Sequence, residues 1–356
     1  MELPDSLAEL GEYALHAQIA AILNTSSSGR LVGDDAAILP LGDGSDPLRL
    51  IVSVDRLAQN AAPGVRARLL VTQTLSDVIC TGGTPLAMLL AVQVERHTDP
   101  AEVVDLVESV EAVCREYGCH LVGGDTKEGD AFSAVGVGLG TAQASRVIRR
   151  VPVVPGDLVG VTLAGGRRWG RRWGHHLVEH FALPVGEGVR ALLAASEDDI
   201  MLPVAETAAL LASGVTAGLD LSDGLGASLR ILATANSVGF TVLPDALDEI
   251  VDEAAVAPVA AHLGIRTRAF AMSPGYVWNN MYAVPAERAE QARAAARRAG
   301  GDFVVVARAR PGPPEVRYGD DDAGALIEAA SDEKFRRWAW SDRTEHWLDV
   351  MRSAKL

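Results

Sequence analysis

Five times along this chain an aspartate stands beside small or glycine residues. The segments are Gly33-Asp34-Asp35-Ala36-Ala37, Ser53-Val54-Asp55, Ser76-Asp77, Gly123-Gly124-Asp125-Thr126 and Asp220-Leu221-Ser222-Asp223-Gly224. One Asp–Gly pair marks a turn in which the carboxylate bonds its own backbone. Five of them, two closing an apolar run, ask for a fold that fixes strand ends and brings carboxylates together from both halves of the chain. Asp55 and Asp125 follow apolar runs, whereas Asp34, Asp35 and Asp223 sit in expected turns.

Such a set suits magnesium. Mg²⁺ prefers hard oxygen ligands in an octahedron, keeps several waters, and is held by a few carboxylates plus the phosphate oxygens of its substrate. Glycines beside the ligands let the backbone come close to a bulky anion. The residues therefore point to ATP and Mg²⁺ as cofactors, the metal neutralising phosphate charge and orienting a terminal phosphoryl group.

A chain of 356 residues is long for one core and suits two, and 48% hydrophobic with 22% charged residues is an ordinary globular balance. The net charge of −15 argues against a nucleic-acid partner, which asks for a basic face. Cys80, Cys114 and Cys119 have no metal-ligand spacing and fit reduced thiols of a cytoplasmic protein. No apolar run is long enough for a spanning helix, so no membrane partner is expected.

Periodicity predicts an amphipathic helix over 6–24, strands over 36–39, 48–54 and 86–94, helices over 64–78 and 100–117, and a strand over 134–141. Charge and proline cluster at Arg149 to Gly156, which divides the chain into units 1–152 and 153–356. The second unit opens with a strand over 158–163 and alternates strands with Ala-rich helices over 201–212, 225–235 and 286–298. The expected class is α/β (α+β) with mixed sheets.

The order of the acidic segments resembles thiamine-monophosphate kinase. That family shares a superfamily with aminoimidazole ribonucleotide synthetase, selenophosphate synthetase and the hydrogenase maturation carbamoyl dehydratase. Leu10-Gly11-Glu12-Tyr13 precedes the first segment, Gly82-Gly83-Thr84-Pro85 follows Leu75-Ser76-Asp77, and Gly156-Asp157 precedes Asp220-Leu221-Ser222-Asp223-Gly224-Leu225, all in the family's order. The resemblance implies a two-domain aminoimidazole ribonucleotide synthetase-like fold whose N-terminal sheets pair across a homodimer. It implies ATP in a cleft, with Asp34, Asp55, Asp77, Asp125 and Asp223 as metal ligands and Asp35 supporting them. Gly123, Gly124 and Thr126 would approach the nucleotide, with Ser222 beside it. Asp34, Asp125, Asp223 and Lys127 are the residues expected to act on the transfer. Gly124-Asp125-Thr126-Lys127 looks like the dehydratase's Gly-Asp-Thr-Lys, which gives Lys127 a phosphate or carbonyl oxygen to contact. No general base is required, because positioning and charge neutralisation supply most of the acceleration in phosphoryl transfer.

The acceptor side departs from the kinase. The family's acidic-Gly-x-His-Phe stretch is replaced by Arg56-Leu57-Ala58-Gln59-Asn60-Ala61-Ala62-Pro63, and its Gly-Asp-Asp-Tyr-Glu-Leu motif by Gly275-Tyr276-Val277-Trp278-Asn279-Asn280. Arg167-Arg168-Trp169-Gly170-Arg171-Arg172-Trp173-Gly174-His175-His176 is the one dense basic stretch, read either as an acceptor-binding lid or as a solvated loop or dimer contact. Glu333 to Met351, with Phe335, Trp338, Trp340, Trp347 and Leu348, reads as a packing helix. The expected activity is an ATP- and Mg²⁺-dependent phosphotransferase acting on a small-molecule acceptor other than thiamine monophosphate. The alternatives are ATP-dependent activation of a carbonyl or amide oxygen, and non-catalytic nucleotide binding.

Overall fold

The computed structural model describes residues 6, 9, 12–25, 33–57, 61, 63–194, 200–274, 277–319, 325–326 and 343–353. In chain order these form α1 (Glu12–Thr25), β1 (Ala37–Pro40), β2 (Leu48–Arg56), α2 (Arg66–Cys80), β3 (Thr84–Val94), α3 (Pro100–Glu116), β4 (His120–Glu128) and β5 (Ser133–Gln143). There follow β6 (Leu158–Leu163), α4 (Arg171–His180), α5 (Glu187–Leu193), α6 (Val204–Ala212), β7 (Ala217–Asp220), α7 (Leu225–Asn236), β8 (Gly239–Val242), α8 (Pro244–Ile250) and α9 (Glu253–Leu263). β9 (Asn280–Val284), α10 (Ala289–Arg298), β10 (Asp302–Arg310), β11 (Val316–Tyr318), β12 (Ala325–Leu326) and α11 (Arg343–Ser353) complete the chain.

The expected mixed α/β architecture is present as two sheets. The first has the order β1-β2-β5-β3-β4 and the second β12-β11-β8-β10-β6-β9-β7. Every neighbouring pair in the first is antiparallel except β3 and β4, which run parallel through the crossover helix α3. Asp99 caps that helix by accepting from Ala101 N at 2.9 Å, with Pro100 at its start.

Glycine sets how closely α2 approaches the first sheet. Along β5 the buried positions include Gly136, Gly138 and Gly140. A Cβ at Gly136 would lie 2.2 Å from Thr74 Oγ1, and one at Gly140 2.3 Å from Val78 Cγ1. Only a bare backbone admits the helix there, and this close packing holds Ser76 and Asp77 against the sheet. By strand alternation Val135, Val137 and Leu139 occupy the other face, where Val54, Leu86 and Val122 of the neighbouring strands are 65%, 56% and 60% exposed.

The second sheet packs the larger core, which includes Phe240, Phe270, Val304, Val306 and Trp347. Trp347 Nε1 donates to Met272 O at 2.9 Å, and its ring meets Trp173 edge-on at 5.2 Å. The packing helix expected at the C-terminal end is thus seen over Arg343–Ser353, while Phe335, Trp338 and Trp340 lie outside the described residues. No helix among the described residues is long and apolar enough to cross a membrane.

Two strands run further than the sequence suggests. Asp55 lies inside β2, and the whole Gly123-Gly124-Asp125-Thr126 segment lies inside β4. Pairing explains both: β2 is bonded through Arg56 to Val135, and β4 through Glu128 to Val94, so the ladders extend past the apolar runs.

Candidate active site: carboxylates at the joint between the sheets

The two sheets meet where α2 faces the end of β7. Tyr282 Oη, from β9, donates to Cys80 O at 3.1 Å, and Ser76 Oγ, from α2, donates to Asp220 Oδ2 at 3.1 Å. Asp220 N donates to Asp35 Oδ2 at 3.2 Å. These bonds draw residues from the bend before β1, from α2 and from β7 into one place.

Asp35 is the hub. Its Oδ1 accepts from Arg150 Nε at 3.0 Å and also from Nη2, and its Oδ2 accepts from Cys80 Sγ at 3.2 Å. Asp77 accepts from Ser53 Oγ of β2 at 2.5 Å. Asp220 is held on both oxygens, by Ser76 and by Ser222 Oγ at 3.1 Å. Its main-chain carbonyl accepts from Ser228 Oγ at 3.2 Å, which fixes the strand end to α7.

Burial and mutual repulsion dominate the electrostatics. Burial, then Asp220 and Asp35, push the Asp77 carboxyl well above the usual carboxylate range. Burial, then Asp35 and Asp223, push Asp220 up to about 8. Burial and Asp35 also raise the Cys80 thiol, so it serves as a buried donor and not as a nucleophile. Arg150 is the cation hydrogen-bonded to this cluster, and three carboxylates outnumber it. That unbalanced negative charge suits a divalent cation, which would favour the ionised form of each acid.

The fit to Mg²⁺ is that of a partial site. Among the described residues no three acidic, histidine or cysteine side chains converge into a closed cage. Mg²⁺ tolerates this, since it takes one or two carboxylates and completes its shell with water and substrate phosphate. Asp77 and Asp220, whose ionised forms are the most disfavoured by their neighbours, are the side chains that would hold it.

The expected site residues divide into three groups. Asp35, Asp55, Asp77 and Asp223 lie in or beside the cluster: Asp55 adds to the repulsion on Asp77, and Asp223 to that on Asp220. Asp34 is turned aside, its Oδ2 accepting from Arg149 Nη1 at 2.7 Å and its Oδ1 from Arg150 N at 3.0 Å. Ser222 is directed at Asp220. Gly123, Gly124, Asp125, Thr126 and Lys127 lie on the edge strand β4, three strand steps from β2, which at about 4.8 Å per step is roughly 14 Å. There Lys127 Nζ lies 3.6 Å from Asp125 Oδ2, and their side chains are 75% and 62% exposed.

Four participants escaped the sequence reading. Asp220 closes an apolar run and carries no local mark of a ligand, whereas Asp223 beside Gly224 has the turn signature. Ser53 and Ser76 precede quoted aspartates and look like ordinary small neighbours. Arg150 stands in a charged linker, and nothing in its local pattern signals a partner 115 positions away.

Residues 33–142 match the family model described as AIR synthase related protein, N-terminal domain. The chain is 29% identical over 278 residues to thiamine-monophosphate kinase of Corynebacterium glutamicum, covering 72% of this chain and 79% of that protein. In three dimensions it is similar to AaThiL complexed with AMPPCP and TMP, with a TM-score of 0.69 at 20% identity over 91% of this chain and 99% of that one. It is also similar to hydrogenase maturation protein HypE in complex with ATP, with a TM-score of 0.64 at 20% identity, covering 92% and 98% of the two chains.

Proposed function

We propose that this chain, a thiamine-monophosphate kinase homologue with an AIR synthase-related N-terminal domain, transfers the γ-phosphate of ATP to a small-molecule acceptor in a Mg²⁺-dependent reaction. The observation that carries this reading is the cluster of Asp35, Asp77 and Asp220, with the Asp35 side chain and Asp220 buried, Asp77 half-buried and Arg150 as counter-charge. In this reading residues 1–152 bind Mg²⁺ and nucleotide, and residues 153–356 complete the acceptor site. Bound Mg²⁺ supplies charge neutralisation for the phosphates. The chain's own residues fix the geometry: Ser53 and Ser76 orient two carboxylates, Arg150 and the Asp220 amide hold Asp35, and the buried Tyr282 hydroxyl ties β9 to the end of α2.

Thiamine monophosphate is not the acceptor in this reading. Its thiazolium carries a fixed positive charge, whereas the cleft beside Asn279 is lined by four arginines and, among the described residues, by no carboxylate. The family's acidic motif is also replaced at 275–280, and Trp278 packs against Ile200 and Leu202 in the core around the first sheet.

The same reading makes the protein a homodimer through the first sheet. The open face bearing Val54, Leu86 and Val122, with Val135, Val137 and Leu139 between them, is the kind of contiguous apolar surface a second copy covers. Sedimentation is expected to give twice the chain mass, and Val122→Glu to give the monomer.

The test of the activity uses γ-labelled ATP with a panel of phosphorylated and carboxylated metabolites. Label appearing on an acceptor, only with Mg²⁺, is the expected result. Label released solely as inorganic phosphate while the acceptor gains a nitrogen or sulfur substituent would replace transfer by activation chemistry. No turnover with any acceptor, despite ATP binding, would leave a nucleotide-binding protein.

A further inference from the structure

Beside the carboxylates lies a site of opposite sign. Arg167, Arg168, Arg171 and Arg172 line one shallow cleft open to solvent. In a chain of net charge −15 this local excess of cations is out of keeping with the rest of the sequence. Arg171 Nε donates to Asp252 Oδ2 at 2.6 Å. The Arg172 guanidinium lies over the Trp278 ring at 5.2 Å from its centroid, which holds it flat at the cleft wall. Arg167 and Arg168 are exposed, and Arg168 makes no ion pair among the described residues.

Backbone donors reach the same cleft. The ten-residue helix α4 begins there, and its N-cap Gly170, at φ 104°, brings no side chain to satisfy the first amides. Those amides and the positive end of the helix favour an anion. Trp169, 5% exposed, is part of the lining with its indole Nε1 closed to solvent.

Asn279 joins this cleft to the carboxylates. It lines the cleft, and its carbonyl accepts from Leu221 N at 3.0 Å, one residue beyond Asp220. A molecule seated among the arginines therefore lies next to the strand end that carries Asp220.

We propose that this cleft selects a polyanionic small molecule, bearing at least two anionic groups and no fixed cation, as the acceptor. The inference rests on the phosphotransfer reading for the word acceptor, but its binding claim stands without it. Guanidiniums engage phosphate and carboxylate through paired N–H donors, and a second anionic group uses the cations that one group leaves over. A fixed cation on the ligand meets repulsion from the arginines, since no carboxylate lines the cleft among the described residues.

The test compares 2-phosphoglycolate, which carries phosphate and carboxylate, with phosphocholine, which carries phosphate and a fixed cation. Both are titrated into the full chain without ATP or Mg²⁺, by calorimetry and by the fluorescence of the cleft tryptophans. Phosphoglycolate is expected to bind at least tenfold more tightly, and more weakly as salt is raised. Arg168→Ala is expected to weaken it at least about fivefold and Arg168→Glu to abolish it, with the thermal midpoint of both variants unchanged within about 2 °C because the residue is exposed. Equal affinity for the two ligands, or indifference to Arg168→Glu, would overturn the proposal. Tight phosphoglycolate binding in a protein that never transfers phosphate would sink the proposed activity and leave this binding site standing.

Discussion

Two charged regions lie on either side of Asn279, and they are built in opposite ways. The carboxylates sit on the bend before β1, on α2 and on β7, are buried or half-buried, and are each tied by hydrogen bonds to other elements. The arginines sit on a loop and the first turn of α4, and two of them are exposed. A buried excess of negative charge is tolerable only if protons or metal ions neutralise it, so the first region is made for a cation of fixed position. An exposed excess of positive charge is solvated and waits at little cost, so the second is made for an anion that comes and goes. The contrast separates the part that handles metal and nucleotide from the part that chooses the acceptor.

The sharpest way to break this contrast is to remove a carboxylate. Asp77→Asn or Asp220→Asn is expected to lower Mg²⁺-dependent ATP turnover by roughly 100-fold or more, since each removes a charge placed to hold the metal. Steady-state assays across a Mg²⁺ series check this, and turnover within twofold of the parent would break the assignment.

Next in size is the counter-charge. Arg150→Met leaves Asp35 buried without its ion-pair partner, a change expected to cost about 3–5 kcal/mol by urea unfolding in EDTA. Millimolar Mg²⁺ should recover part of that loss. Recovery with magnesium in Arg150→Met, and little further gain in an Asp35→Asn/Arg150→Met pair, would tie the metal to this cluster.

The pH response is smaller and its sign is fixed by Asp220. Its carboxyl, pushed up to about 8 by burial and by Asp35 and Asp223, lies far above the unfolded value near ~3.9. The folded state thus favours the protonated form. Its contribution is fully present below the unfolded pKa and is lost as pH rises through the folded one. Thermal midpoints in EDTA are therefore expected to fall between about pH 5.5 and 8.5, and Mg²⁺, which favours the ionised acid, to flatten the slope. An Asp220→Asn protein should show the flattened profile without metal.

The smallest effect belongs to the edge strand. Lys127→Ala breaks only an exposed pair with Asp125, so the thermal midpoint is expected to move by no more than about 1–2 °C. A larger shift would mean that β4 is buried against a second copy, which the sedimentation experiment then has to show.

Much of the fold was legible because its signals are local. The run Leu158–Leu163 forms the strand its apolar character predicts, and Asp99-Pro100 starts α3 where capping and proline chemistry place it. Strand ends were less legible, because pairing with Val135 and Val94 carries β2 and β4 through Asp55 and Asp125, and the sequence of one strand does not record the length of its partner. The site was legible as a set of aspartates but not as an arrangement. Asp34 and Asp35 are adjacent and chemically identical, and only Arg149 and Arg150, more than a hundred positions away, decide that one is turned aside and the other becomes the hub. Asp220 was hidden for the same reason: its importance comes from Ser76 and Asp35, which no local pattern connects to it.

Calorimetric titration of ATP into the full chain, with Mg²⁺ and with EDTA, tests the central claim most directly when repeated on Asp77→Asn. The account predicts tight binding that needs Mg²⁺ in the parent and is weakened at least about tenfold in the variant. ATP bound equally well by both proteins, with or without the metal, would contradict it.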